Sequence, residues 1–252
     1  MVARPSVVRA LSLIATLLVW EWYGRGVDPI FLSYPTGILL AVPQMIASGE
    51  LQSAMASSLT QFAIGFGLAI VFGVLVGLIT GRYRMVEYAI DLQLSALYAT
   101  PNVALIPLFM LWFGLGATAK IFIIFMAAFF PIVVTTQAGV KNVSASLVDI
   151  VLAEGASEWQ VITKVVIPAS LPFVMGGIRL GVGRAVVGMV VAEMFTAITG
   201  LGGLIVTYGN KFQTDRLFVI IICLALLGVG MTQGLKRLEL RLARWKATER
   251  AQ

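Results

Sequence analysis

Three ionisable side chains, Arg179, Arg184 and Glu193, stand inside one long apolar run at residues 173–198. Charges at such depth tend to mark a solute route or to pair with one another. Arg184 could grip an anionic solute with two parallel N–H bonds. Alternatively, Arg179 and Arg184 reach toward one membrane interface while Glu193 lies near the other. Arg179 and Glu193 share a helix face but are about 21 Å apart along the axis at 1.5 Å per residue, too far to touch.

Other chemistries are removed by residue type. The chain contains no histidine and a single cysteine, Cys223. Ser–His and Cys–His catalysis, histidine-based zinc sites and intramolecular disulfides are therefore impossible. Residues 114–121 imitate a phosphate loop and fail it: Ala119 replaces the glycine before Lys120, and Ile121 the hydroxyl that would hold magnesium. ATP must be bound by another polypeptide if it is used at all. No cofactor is expected.

The elements that would position those charges must live in lipid. Of 252 residues, 59% are hydrophobic and 12% charged, about half the charge of a soluble domain, and the mean hydropathy is +0.96. An all-α membrane protein follows, with candidate spans at about 7–23, 58–81, 92–113, 121–140, 173–198 and 217–235. The run after Arg9 ends in Trp20-Glu21-Trp22-Tyr23, an interfacial anchor and not a signal-peptide cleavage site. Pro35, Thr36 and Pro43 frame a short helix lying at the interface. Pro101 and Pro107 would each remove a helix bond inside the third span. Such kinks are tolerated where neighbours or a water-lined cavity satisfy the freed groups, which makes Pro101 and Asn102 candidate pathway residues.

With six crossings and a cytoplasmic N-terminus, inside segments carry twelve basic residues: Arg4, Arg9, Arg82, Arg84, Lys141, Lys164, Lys236, Arg237, Arg241, Arg244, Lys246 and Arg250. Outside segments carry four, Arg25, Lys120, Lys211 and Arg216. This bias places both termini inside and accounts for the net charge of +6 without nucleic acid. Gly73, Gly77 and Gly81 recur every fourth residue, giving one helix face on which a neighbouring backbone can approach closely. Gly176, Gly177, Gly181, Gly183 and Gly188 offer the same in the fifth span.

The longest inside connection, residues 141–172, carries its own pattern. Leu147, Val148, Val151 and Leu152 read as one amphipathic helix, and Gly155 interrupts it. Trp159, Val161, Ile162, Val165 and Val166 read as a second, closed by Pro168 and Pro172. Their apolar faces must be buried against the chain's own bundle or against a partner's groove.

This loop resembles the E-A-A-x3-G-x9-I-x-L-P segment of binding-protein-dependent ABC importer permeases. Aligned on Gly155, the chain has Asp149-Ile150-Val151, then Gly155, Val165 and Ile167-Pro168, with Ile150 and Val151 replacing the two alanines. Residues 101–108 and 111–114 are similar to the third-helix signature of the nitrate, sulfonate and taurine subfamily. Gly49-Glu50-Leu51, Gly177-Ile178-Arg179-Leu180-Gly181, Ala192-Glu193-Met194 and Gly200-Leu201-Gly202 resemble its other helix boundaries.

The resemblance implies a type I importer bundle in a bacterial inner membrane. Residues 1–252 would form one permease domain, with a core at about 58–240 and a coupling loop at 141–172. It further implies a homodimer in lipid, served by an extracytoplasmic solute-binding protein and a cytoplasmic ATPase. By that likeness Asp149, Leu152, Ala153, Glu154, Gly155, Ala156, Ser157, Trp159 and Pro168 would dock the ATPase. Trp159 could equally anchor to its own bundle. The solute would be an anion such as a sulfonate, taurine or nitrate, or an aromatic vitamin or precursor such as riboflavin or a thiamine pyrimidine. An ion-coupled secondary transporter is the alternative; it predicts internal repeats and paired midplane carboxylates, neither of which is clear. An intramembrane enzyme would need the histidines or metal motifs the sequence lacks.

Overall fold

The computed structural model describes residues 5–242, so Arg4, Arg244, Lys246 and Arg250 of the charge pattern lie outside the described residues. All elements among the described residues are helical: α1 (Pro5–Arg25), α2 (Pro35–Ala47), α3 (Glu50–Arg82), α4 (Arg84–Ala99), α5 (Ile106–Phe113) and α6 (Ala117–Lys141). They continue with α7 (Ala145–Ala153), α8 (Glu158–Val161), α9 (Ile167–Phe195), α10 (Gly200–Asn210) and α11 (Thr214–Leu242). Five stretches are long and apolar enough to cross a membrane, or six if α4 and α5 together count as one.

The centre is α6, gripped by α3 on one side and α9 on the other. Along the α3 contact, small residues repeat every fourth position, as the glycine spacing predicts. A Cβ on Gly73 would lie 2.9 Å from Ile132 Cγ2, and one on Gly77 or Gly81 would lie 2.6 Å from the Cβ of Thr136 or Val140. The stripe begins earlier than the three glycines suggest, at Gly65 against Ile124, because buried Ala69 continues the four-residue repeat between Gly65 and Gly73; α3 itself starts at Glu50 and not near Ser58. On α9, Gly177, Gly181 and Gly188 meet α6, whereas Gly176 and Gly183 face open space. Phe62, Phe66, Ile132, Ile178 and Met189 fill the core between the three helices.

The third span is corrected most. It is no kinked rod: α4 and the segment Asn102–Phe113 meet at 92°. Thr100, held extended (φ −72°, ψ 128°) as residues before proline prefer, ends α4, and Pro101 precedes a 3-10 turn, Asn102–Leu105. Pro107 stands in the first turn of α5, where no intrahelical donor is needed. Neither proline breaks a helical hydrogen bond; both mark a boundary. The fifth span is longer than predicted, helical from Glu158 to Phe195. A π-type turn at Ile162–Val166 leads into Pro168, which sits in the first turn of α9 and so starts that helix without closing the loop.

Helix α2 buries Ile38, Ala41 and Met45 against a cluster with Leu51, Leu201 and Ile220. Trp20 is tied to the protein as well as to the interface: its indole N–H donates to Ser33 O at 3.0 Å and its ring packs on Phe218.

Candidate functional site

The predicted pair of helices around Gly155 is present. Helix α7 ends in a left-handed cap: Gly155 has φ +82°, its N–H donates to Leu152 O at 2.9 Å, and Ala156 N–H donates to Val151 O at 3.2 Å. No atom lies within 4 Å of a Cβ added at Gly155, so the backbone angle, and not crowding, selects glycine. Helix α8 opens with a capping box that the sequence reading overlooked. Ser157 Oγ accepts from Gln160 N–H and Gln160 Oε1 accepts from Ser157 N–H. The signal was available as Ser-x-x-Gln before an apolar set.

The loop divides its apolar residues between two faces. Val148, Val151, Ala156, Val161 and Val166 pack with Val140 at the foot of α6. Leu147, Ile150 and Leu152 point away, and Trp159 is 72% exposed, so it does not anchor to its own bundle. Asp149, Ala153, Glu154 and Ser157 are exposed around these side chains, while Ala156 and Pro168 are half-buried. Two ion pairs brace the base. The Arg82 guanidinium donates to both carboxylate oxygens of Glu158, at 2.8 and 3.0 Å, and Lys141 pairs with Glu87. These contacts bring the 82–87, 141 and 158 segments to one end of the bundle, the grouping that the basic residues imply.

The candidate pathway residues separate. Pro101, Asn102 and Arg184 line one cavity of about 360 Å³ between the α4–α5 break and α9. Arg179 is elsewhere, paired with Glu239 of α11 at 2.9 Å. Glu193 is not among the residues lining that cavity; it is fully buried, two residues before the end of α9. One of its oxygens accepts from Ser58 Oγ at 2.6 Å, the other from Gly202 N–H at 2.8 Å, and Ser58 Oγ accepts from Leu201 N–H. Lys120, expected as an outward loop charge, is also buried and donates to Ala197 O and Thr199 Oγ1 at 2.9 and 2.5 Å. Together they fasten the α9–α10 turn onto α3 and α6. Only side chains distant in sequence reveal this, so spacing could not show it. At the same end, burial and the Glu50 carboxylate beside it push the Tyr208 hydroxyl above its ordinary range.

Replacing Glu193 with alanine strands Ser58 Oγ and Gly202 N–H, each a loss of about 1–3 kcal/mol. A lowered melting temperature is expected for Glu193→Ala and a smaller drop for Glu193→Gln. Equal stability of both variants and wild type in detergent would contradict this role.

The bundle matches known transporters. Residues 69–244 fit the family described as binding-protein-dependent transport system inner membrane component. A Bacillus subtilis (strain 168) permease protein named for aliphatic sulfonates is 34% identical across 95% of this chain and 88% of its own. The taurine transport system permease protein of Escherichia coli (strain K12) is 31% identical across 95% and 90%. The riboflavin transport system permease protein of Chloroflexus aurantiacus is 32% identical across 97% and 92%. In the crystal structure of an amino acid ABC transporter, one chain superposes with a TM-score of 0.61 at 14% identity, covering 81% of this chain and 97% of that one. The fold is therefore that of a type I ABC importer permease. The chain belongs to the binding-protein-dependent transport system inner membrane components, as a multi-pass, non-catalytic permease subunit whose ATP is hydrolysed by a separate subunit.

Proposed function

We propose that two copies of this permease form one pathway, that both termini are cytoplasmic, and that the exposed ridge of α7 and α8 docks the ATPase. The solute enters from an extracytoplasmic binding protein and is a small anion such as a sulfonate, taurine or nitrate, or an aromatic vitamin or precursor such as riboflavin or a thiamine pyrimidine. The observation that carries the docking assignment is the ridge itself: Leu152 and Trp159 stand exposed on either side of a rigid glycine turn. Large exposed apolar side chains beside polar ones mark an interaction surface.

The geometry also supplies a lever. Because α8 continues through a π-type turn into α9, a pull on Trp159 moves a helix that runs to Phe195. The Arg82–Glu158 pair couples the same pull to α3. Nucleotide-driven closure of the ATPase would thus reach both helices that grip α6.

Gentle purification should bring along a subunit bearing a phosphate loop. Trp159→Ala should weaken its retention by about 2 kcal/mol, as for a buried aromatic anchor, or about 30-fold in affinity. Uptake that persists without the ATPase and stops when the ion gradient is collapsed would overturn the proposal in favour of a secondary transporter.

A further inference from the structure

Among the described residues, Arg184 has no ion-pair partner. It lies within the span Glu158–Phe195, about 16 Å short of the C-terminal end at 1.5 Å per residue. The four ion pairs among the described residues use Arg25, Arg82, Lys141 and Arg179, and none uses Arg184. The side chain is exposed, and a guanidinium cannot shed its proton. Facing hydrocarbon it would be heavily penalised, so it must face water, an anion or the second copy of the permease.

The cavity beside it shows what kind of anion. Its wall includes Tyr98, Thr100, Asn102 and Phe130, with aliphatic residues filling the remainder, and it contains no aspartate or glutamate. The Tyr98 and Phe130 rings lie 6.1 Å apart and tilted by 33°, which offers an apolar aromatic wall. Ile106 and Ile123, both almost fully buried, also line it. At about 360 Å³ the space is at the small end of ligand sites, which run from about 300 to 1,000 Å³. The lining thus carries one fixed positive charge, a few neutral polar groups and a ring-sized apolar surface. Of the solutes named above this disfavours taurine, a zwitterion whose ammonium no carboxylate there can meet, and riboflavin, whose fused rings would overfill the space.

We propose that Arg184 is the charge-selecting residue of the pathway. It holds the head of a small organic monoanion, such as a sulfonate or carboxylate, whose apolar body rests against Tyr98 and Phe130. This rests on the reading of the chain as an importer's solute route and adds that the permease itself filters by charge.

The test uses the permease–ATPase complex in nanodiscs, titrated calorimetrically with benzenesulfonate and its neutral isostere benzenesulfonamide. Wild type should bind benzenesulfonate saturably and at least about tenfold more tightly than the sulfonamide. Arg184→Gln should lose about 10- to 100-fold in benzenesulfonate affinity, the effect of one charged hydrogen-bonding group, with sulfonamide binding unchanged. Arg184→Lys should recover part of it, since charge survives and the two-pronged geometry does not. An assembled complex that binds both probes equally, binds no benzenesulfonate, or binds it unchanged after Arg184→Gln overturns the anion site alone. Equally, loss of the permease dimer on Arg184→Gln would reassign the charge to an intersubunit pair. A wild-type permease that never retains an ATPase overturns the importer reading beneath it.

Discussion

Gly155→Asp is expected to leave the permease inserted and folded but to abolish ATPase retention and ATP-driven uptake. The free protein has space for the new side chain, since nothing lies within 4 Å of an added Cβ. The penalty has two other sources. At φ +82° an L-residue is strained by about 1–2 kcal/mol, although aspartate is among those that tolerate the left-handed region best. The larger source is a new carboxylate between Leu152 and Trp159, on a surface that docking would strip of water. Burying an unpaired charge costs several kcal/mol, enough to eliminate a moderate-affinity interface. Gly155→Asn separates the two terms. It adopts the same backbone with a neutral side chain and should retain more ATPase than Gly155→Asp. Normal ATPase co-purification from Gly155→Asp would sink the docking assignment.

What could be read from the sequence follows from how local each signal is. The Gly155 turn and its two helices were legible because the apolar spacing, the glycine and Pro168 all lie within twenty or so positions, although the Ser157–Gln160 cap went unread. The α3 glycine stripe was legible because a four-residue period fixes a helix face regardless of what packs on it. The break at Thr100-Pro101 was half legible. Proline announces a discontinuity, but whether a helix kinks or turns by 92° depends on where the next helix finds its packing, here Ile106 and Phe109 against Ile123 and Ala192. The Glu193–Ser58 and Lys120–Thr199 contacts join positions 135 and 79 residues apart, and no period within either segment encodes them. The place of Lys120 between two spans assigns it to an outside segment but says nothing about burial; carbonyl and hydroxyl acceptors from the α9–α10 turn make its burial tolerable.

Gly77→Val is expected to cause a large loss of stability, comparable with that of Glu193→Ala but arising from steric overlap between two helices. Its Cβ would lie 2.6 Å from Thr136 Cβ and 2.8 Å from the backbone oxygen of Val133. A side chain can change rotamer, but a backbone oxygen in the middle of α6 cannot move without the helix. Relief therefore requires α3 and α6 to separate, which also loosens Gly73 and Gly81 against Ile132 and Val140. In lipid no hydrophobic effect pushes the helices together, so close packing is the principal attraction being removed. Overpacking of this kind costs about 1–3 kcal/mol, and the backbone clash places Gly77→Val at or above the top of that range. Gly67→Val is the control: it lies on the same helix and nothing is within 4 Å of its added Cβ. Both changes replace glycine by a better helix former, so intrinsic propensity favours each variant alike. In detergent, thermal unfolding should show a large drop for Gly77→Val and little change for Gly67→Val. Equal melting temperatures would mean that the α3–α6 contact gives way elsewhere, and that a helix central to the proposed lever is held less rigidly than its glycine face implies.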